Sequence, residues 1–260
     1  MNIVVLVKQV PDTAAERTLS EADHTLDRES ADLVLDEINE RAAEEALTLK
    51  ETVGAEVTVV SMGPDSALDA IRKVLAMGAD RGIHICDDRL RGADVVTTAK
   101  VLAAAVRTVA DVALVVAGDA TTDGQASAVP AIVAELLGLP PLTHARELTV
   151  EAGQVRAERE TENGVATLGA QLPALVSVTE KINEPRYPSF KGIMAAKKKP
   201  VATVRLEDLF PDADGTGFLV TRTRVVEAVP RPARTAGVRV TDDGSAGRRL
   251  VDYLIAQNLV

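Results

Sequence analysis

The chain of 260 residues carries a net charge of −10 and is 46% hydrophobic, so it is long enough for one sizeable α/β core with an appendage and too apolar to be disordered. The negative charge disfavours nucleic acid as a partner, and the single cysteine, Cys86, excludes an intramolecular disulfide and a cysteine-ligated metal site. The three histidines are scattered without the spacing of metal ligands, so we expect no metal site.

The first half of the chain predicts a sheet covered by helices. The opening apolar run is only a few residues long, which predicts a buried strand rather than a signal peptide or membrane span, and hence a cytoplasmic protein without membrane insertion. Strand-like runs alternate with helical patterns; the strands are expected at 2–8, 55–62 and 112–117, and the helices at 37–53, 65–77, 93–110 and 127–137. This alternation predicts a parallel sheet flanked by helices, the Rossmann-like α/β class. Cys86 is expected to lie in an apolar strand and to be an inert core thiol.

The second half changes character after residue 138. Short alternating runs predict a β-hairpin at about 145–172, followed by a strand at 174–179. From about residue 200 the sequence becomes irregular and contains one convincing helix, roughly 245–257. We expect an α/β nucleotide-binding domain over 1–190, and over 191–260 a partner-recognition segment with an extended C-terminal arm; the alternative is a tail packed on its own core.

The segment 181–199 combines two prolines, aromatic residues and a lysine cluster. Pro185 and Pro188 push the preceding residues out of the helical region, so the chain leaves its sheet here. Phe190, Ile193 and Met194 then stand among lysines, a mixture suited to protein recognition. The residues alone leave two interpretations open, a docking segment or an ordinary solvated loop.

The strand at 112–117 ends in a small, polar loop that opens a helix. Small residues let backbone amides approach a phosphate, and the start of the following helix directs unpaired N–H groups to the same point. Asp119 and Asp123 oppose an anion, so the amides rather than side chains are expected to bind it. The alternative is a plain turn between strand and helix.

No catalytic constellation is recognisable in the sequence. Residues 61–66 differ at one position from the phosphate loop of ATP pyrophosphatases, but the bulk of Met62 disfavours that use. Glu40, Glu44, Glu45 and Lys50 are expected to be solvated helix residues. We therefore do not expect an autonomous catalyst.

Motifs along most of the chain point to one family. They are 7–12 (VKQVPD), 43–47 (AEEAL), 75–84 (LAMGADRGIH), 183–187 (NEPRY) with the following Ile193-Met194 and Lys197 to Lys199, and 234–239 (RTAGVR). Together they closely resemble the electron transfer flavoprotein (ETF) β subunit. The resemblance implies an adenine-nucleotide-hydrolase-like fold and a heterodimer with an ETF α subunit that holds most of the FAD, while this chain binds AMP. Electrons would come from acyl-CoA and other dehydrogenases and pass to ETF-quinone oxidoreductase, as in fatty acid β-oxidation.

The resemblance also implies three sets of site residues. The AMP site takes in Leu6, Asp36, Glu37, Ile38, Asn39, Met62, Gly118, Asp119, Ala120, Thr121, Thr122, Asp123, Gly124, Gln125, Ala126, Ser127, Ala128 and Val129. Thr13 and Ile38 lie near the flavin, and Tyr187, Phe190, Ile193 and Met194 recognise the redox partner, with Phe190 as the hydrophobic anchor. Arg159-Glu160 matches a family pair whose acid lies near the partner's flavin domain; the alternative is a surface ion pair of the hairpin.

Two departures from the family keep rival functions open. The family commonly has Lys-Gln at 119–120 and a glutamine-containing corner at 128–130, where this chain has Asp119-Ala120 and Ala128-Val129-Pro130. An electron-bifurcating ETF, with a second FAD in the AMP site and NADH as reductant, is therefore the main alternative. A stand-alone nucleotide-binding protein is the third.

Overall fold

The computed structural model describes residues 1–28, 30–211, 223–229, 231–233, 237 and 239–260. The strands are β1 (Asn2–Val7), β2 (Gln9–Pro11), β3 (Leu33–Leu35), β4 (Glu56–Met62), β5 (Arg81–Ile85), β6 (Val112–Gly118), β7 (Pro141–Glu151), β8 (Gln154–Thr161), β9 (Gly164–Gln171), β10 (Ala174–Val178) and β11 (Val201–Val204). The helices are α1 (Glu37–Val53), α2 (Leu68–Met77), α3 (Val95–Arg107), α4 (Val129–Leu137), α5 (Phe190–Ala196), α6 (Leu206–Leu209) and α7 (Ala246–Ala256).

Nine strands form one sheet in the order β11-β5-β4-β1-β6-β10-β7-β8-β9. Neighbours from β11 to β7 run parallel, and β8 and β9 are added antiparallel beyond β7. The predicted α/β class is thus confirmed, with the hairpin extending the sheet at one edge.

The sheet is apolar on both faces because helices cover both. In β1, Ile3 and Val5 face a core shared with α1 and α2, whereas Val4 and Leu6 face a second core shared with α3 and α4. Side chains alternate along a strand, so a central parallel strand must be apolar at every position. Because β1 and β6 are neighbours and run parallel, their carboxyl ends lie side by side at one edge of the sheet.

The predicted elements differ from the observed ones mainly at their ends. The helix expected from 127 begins at Val129, and the one expected from 65 opens with a 3-10 turn at Asp65–Ala67. The short pair β2 and β3, the edge strand β11 and the short helices α5 and α6 were not predicted, and β5 was expected only as an apolar strand at Cys86 without bounds. Runs of three to seven residues carry too little periodicity. Cys86 was wrongly expected in the core: it follows β5, is half-buried, and its Sγ lies 3.3 Å from Asp65 Oδ1.

The chain divides into two compact units, Met1–Val225 and Val226–Val260. The first contains the whole sheet, and α5 packs on α2 within it. The second contains α7, none of whose residues is buried. Most of the 234–239 motif lies outside the described residues. Among the described helices, none combines the length and the apolar character that a membrane crossing requires.

Candidate functional site

A cleft of about 650 Å³ opens beside the loop that follows β6. Its lining brings together Thr13, Ala15, Arg17, Ile38, Asp119, Ala120, Thr121, Thr122, Gln125, Ser127 and Glu180. Eight of these were predicted as AMP or flavin residues, and Ala15, Arg17 and Glu180 were missed because no motif marks them. The other predicted AMP residues are not among the residues that line the cleft. Leu6 is buried in the second core, and Met62 and Val129 pack against that core.

Asp36 joins the start of α1 to the β6 loop. Its Oδ1 accepts the backbone N–H groups of Ile38 and Asn39 at 3.1 Å, so it caps the helix. Its Oδ2 accepts the N–H and hydroxyl of Thr122 at 2.7 and 2.9 Å. Asp36 is fully buried and both of its carboxylate oxygens accept hydrogen bonds. It therefore holds the start of α1 and the β6 loop together rather than contacting a ligand.

Gly118 ends β6 beside the start of α1. A Cβ atom there would collide with the side-chain amide of Asn39 and would crowd the carbonyl of Ala120. The same Asn39 amide lies 3.4 Å from the Ala120 carbonyl oxygen, which it can bond weakly. Glycine is thus needed for packing helix against loop.

The carboxylate of Asp123 is neutralised within the protein. It accepts from Lys8 at 2.8 to 2.9 Å, from Arg28 at 2.7 Å and from the Thr121 hydroxyl at 2.7 Å. Burial alone would raise its pKa, but attraction to Lys8 and these hydrogen bonds prevail and lower the pKa to about 2. Burial, in turn, lowers the pKa of Lys8. Asp123 therefore opposes an anion less than its charge suggests.

The end of the loop presents free backbone donors. Gln125 and Ser127 both adopt left-handed backbone, with φ of 50° and 47°. Among the described residues, none accepts a hydrogen bond from the backbone N–H of Ala126, Ser127 or Ala128. These donors lie just before the first turn of α4, where its dipole favours negative charge. The arrangement can bind an anionic group such as a phosphate.

A second surface is formed by the segment 183–196. Tyr187 is 97% exposed and Phe190 80% exposed, while Ile193 and Met194 are about half exposed. These are the four residues predicted to recognise a partner. Large apolar side chains exposed so close together in one segment mark a contact site more often than single exposed apolar residues do.

The segment is fixed to α1 by buried carboxylates. Arg186 forms a double hydrogen bond with Glu44, Nε to Oε2 and Nη2 to Oε1, both at 2.9 Å, and also pairs with Glu51. Asn183 donates to Glu45 at 3.0 Å. Hydrogen bonds to Glu51 and Glu44 raise the pKa of Arg186, and burial raises the pKa of Glu45. The prediction that Glu44 and Glu45 are solvated is therefore wrong: both are buried, because the distant 183–187 motif covers them.

The far end of the segment is fixed to α2. Gly192 lies so close that a Cβ atom would collide with the carbonyl oxygen of Ala76. Arg72 donates to the carbonyls of Ala196 and Lys199 at 2.7 and 2.9 Å. The ammonium of Lys199 donates to the backbone carbonyls of Leu75 and Ala79, and burial lowers its pKa. Lys199 thus turns inward, and the exposed patch is held at both ends.

Arg159 and Glu160 do not pair with each other, and the pyrophosphatase-like motif does not open to a cleft at Ser61. Arg159 donates to the Thr143 hydroxyl at 3.2 Å, and Glu160 pairs with Arg146 and Lys181 rather than with Arg159. Ser61 is fully buried within β4, so its hydroxyl faces no cleft.

Comparisons with known proteins agree on one family. The family model described as "Electron transfer flavoprotein domain" matches residues 23–209. The chain is 53% identical to the electron transfer flavoprotein subunit beta of Mycobacterium tuberculosis, covering 100% of this chain and 99% of that one. It is 35% identical to the subunit of the same name from Thermoanaerobacterium thermosaccharolyticum over the whole of both chains. It is also 34% identical to the caffeyl-CoA reductase-Etf complex subunit CarD of Acetobacterium woodii, covering 93% and 92%. Together with the α/β fold and the motifs, these matches establish that the chain belongs to the electron transfer flavoprotein family as a β subunit.

Proposed function

We propose that the chain pairs with an ETF α subunit, binds AMP in the cleft beside β6, shields the FAD of the α subunit, and relays electrons in the cytoplasm. The donors are acyl-CoA and other dehydrogenases, and the acceptor is ETF-quinone oxidoreductase. The observation that carries the proposal is the separation of two surfaces, a polar cleft with free amides and an exposed apolar patch held rigidly at residues 183–196.

The cleft fits a nucleoside monophosphate. Its volume of about 650 Å³ falls in the range of small-molecule sites. The free amides of Ala126, Ser127 and Ala128 suit a phosphate, and Asp119 Oδ1 is a buried acceptor without a partner among the described residues. The pairing of Asp123 with Lys8 and Arg28 removes a charge that would repel the phosphate.

FAD, when bound mainly by the α subunit, supplies the redox chemistry. Thr13 and Ile38 both line the cleft and would face the flavin from this subunit. Thr13 is held by a hydrogen bond from its hydroxyl to Glu37 at 3.0 Å. Neither side chain is aromatic, so their role is to exclude water by contact rather than to stack.

The apolar patch of Tyr187, Phe190, Ile193 and Met194 is the proposed contact for dehydrogenases and the quinone oxidoreductase. An exposed aromatic residue on a rigid support loses little conformational freedom on binding, which favours affinity. The half-exposed apolar residues of α7, such as Leu250 and Ile255, support the proposal that the C-terminal arm covers the α subunit.

The nucleotide content of the complex tests this function. The chain is co-expressed with its α subunit, the heterodimer is denatured, and the released nucleotides are counted. One FAD and one AMP per heterodimer are expected. Two FAD without AMP would instead support the bifurcating form, which the altered corner Ala128-Val129-Pro130 keeps as the second candidate.

A charge variant locates the nucleotide. Ser127→Glu places a carboxylate beside the free amides and should lower the AMP content while FAD remains. Gln154→Glu makes the same charge change at an exposed position of the hairpin and is the matched control. Equal AMP in both variants would contradict the assignment of the cleft.

A further inference from the structure

Asp119 carries an acceptor that the protein leaves unused. It follows β6 directly and lines the cleft, with its side chain 16% exposed. Its Oδ2 lies 3.0 Å from Nδ1 of His144, whereas its Oδ1 is buried and has no hydrogen-bond partner among the described residues. A buried carboxylate oxygen without a donor is costly, and a donor on a molecule bound in the cleft that Asp119 lines would relieve this cost.

The fold places His144 against Asp119 by an irregularity in the sheet. The register between β7 and β10 shifts between Val176 and Val178, opposite His144. His144 adopts left-handed backbone with φ of 59°, and its N–H donates to the buried Ser177 hydroxyl at 3.1 Å. Bulges redirect side chains, and left-handed backbone at a non-glycine residue is unfavourable unless the surroundings hold it.

The hydrogen bond between His144 and Asp119 sets the orientation of the Asp119 carboxylate. With Nδ1–H donating to Oδ2, the imidazole fixes the rotation of the Asp119 carboxylate and leaves Oδ1 directed elsewhere. His144 is thus a positioning residue, because it acts through Asp119. The same carboxylate repels a phosphate, so Asp119 suits the uncharged nucleoside part of a nucleotide rather than its phosphate.

We propose that Asp119, oriented by His144, selects the ligand of the cleft by accepting a hydrogen bond from its nucleoside part, a ribose hydroxyl or the amino group of adenine. The inference rests on the proposed function, namely that the cleft binds AMP. It gives Asp119, already among the residues expected at the AMP site, a specific recognition role, and adds His144 as a positioning residue.

Calorimetric titration of the nucleotide-free heterodimer tests the proposal. The ligands are AMP, as the reference, and three analogues, 2′-deoxy-AMP, 3′-deoxy-AMP and IMP, each of which lacks one hydrogen-bond donor of AMP. Loss of a hydrogen bond to a charged group should weaken binding about tenfold or more. Weak binding of a deoxy analogue identifies a ribose hydroxyl, and weak binding of IMP identifies the amino group; either result supports the proposal.

The variants separate recognition from positioning. Asp119→Ala and the isosteric Asp119→Asn should abolish or reduce the preference for AMP over the weak analogue. His144→Ala should reduce the same preference, and His144→Asn should restore it, since asparagine tolerates left-handed backbone and offers a donor near the place of Nδ1. Glu151→Gln removes a carboxylate from the hairpin, far from the cleft in sequence, and should change nothing.

Two outcomes would overturn the inference. One is a wild-type complex that binds all four nucleotides equally; the other is a folded Asp119→Asn complex, checked by its melting curve, that keeps the full preference. In both cases AMP still binds and the proposed function stands. A wild-type complex that binds no AMP would refute the proposed function together with the inference.

Discussion

Replacement of Arg186 by methionine is expected to destabilise the chain by about 2–3 kcal/mol. Removing one partner of a buried ion pair costs about 3–5 kcal/mol because the other charge stays buried. Glu44, with 10% of its side chain exposed, is such a charge, but Arg186 itself is 33% exposed. Glu44 also keeps the backbone N–H of residue 186 at 3.0 Å. Both facts reduce the expected loss of stability.

Urea unfolding of the full-length chain, followed by circular dichroism, measures the effect. Glu51→Gln is the control: Glu51 pairs with the same guanidinium but is 61% exposed, so its loss should cost less than about 1 kcal/mol. A double-mutant cycle of Arg186→Met with Glu44→Gln should give a coupling of about 1–3 kcal/mol. If Arg186→Met lowers the free energy of unfolding no more than Glu51→Gln does, the buried Arg186–Glu44 pair does not stabilise the fold.

Three further predictions concern the cleft and the exposed patch. The folded pKa of Asp123, about 2, lies below its ordinary value of 3.8, so its stabilisation is full above about pH 5 and is lost as pH falls towards 2. Acid unfolding of Asp123→Asn should therefore lack about 2 kcal/mol of the pH dependence seen in the wild type over that window; an unchanged profile would contradict the Lys8 pairing. Gly192→Ala should cost about 1–3 kcal/mol, since the clash with Ala76 outweighs the better helix propensity, and a raised melting temperature would refute the close packing of α5 on α2. Phe190→Ala should leave stability within about 0.5 kcal/mol but slow reduction of the heterodimer by a dehydrogenase roughly tenfold, without loss of flavin; unchanged kinetics would remove Phe190 as the anchor.

Local patterns were sufficient to predict most of the sheet and its helices. Apolar runs such as 112–117 mark central strands because both faces of a parallel sheet are buried. The helix from residue 37 was predicted with its observed ends, since Asp36 precedes it as a cap and Gly54 follows it. The boundaries of α4 were harder to predict, because the left-handed residues Gln125 and Ser127 delay the first turn.

The sequence could indicate the β6 loop as an anion site but not its electrostatics. Lys8 and Arg28 are 115 and 95 residues from Asp123, and no spacing links them. Only the order of the strands, with β1 beside β6, brings them together. Arg17 enters the cleft for the same reason, through the loop after β2.

By itself, the sequence determined the α/β class, the family, the polar loop after β6 and the apolar character of the patch at Tyr187 to Met194, because each depends on neighbouring residues. Only the tertiary structure decided which charges are buried and what they pair with. Glu44 and Glu45 look like solvated helix residues until Arg186 and Asn183 pack over them, and His144 is one scattered histidine until a bulge turns it to Asp119. The physical reason is that the energy of a charge depends on its solvation and its nearest partner, and both are set by contacts between residues distant in sequence.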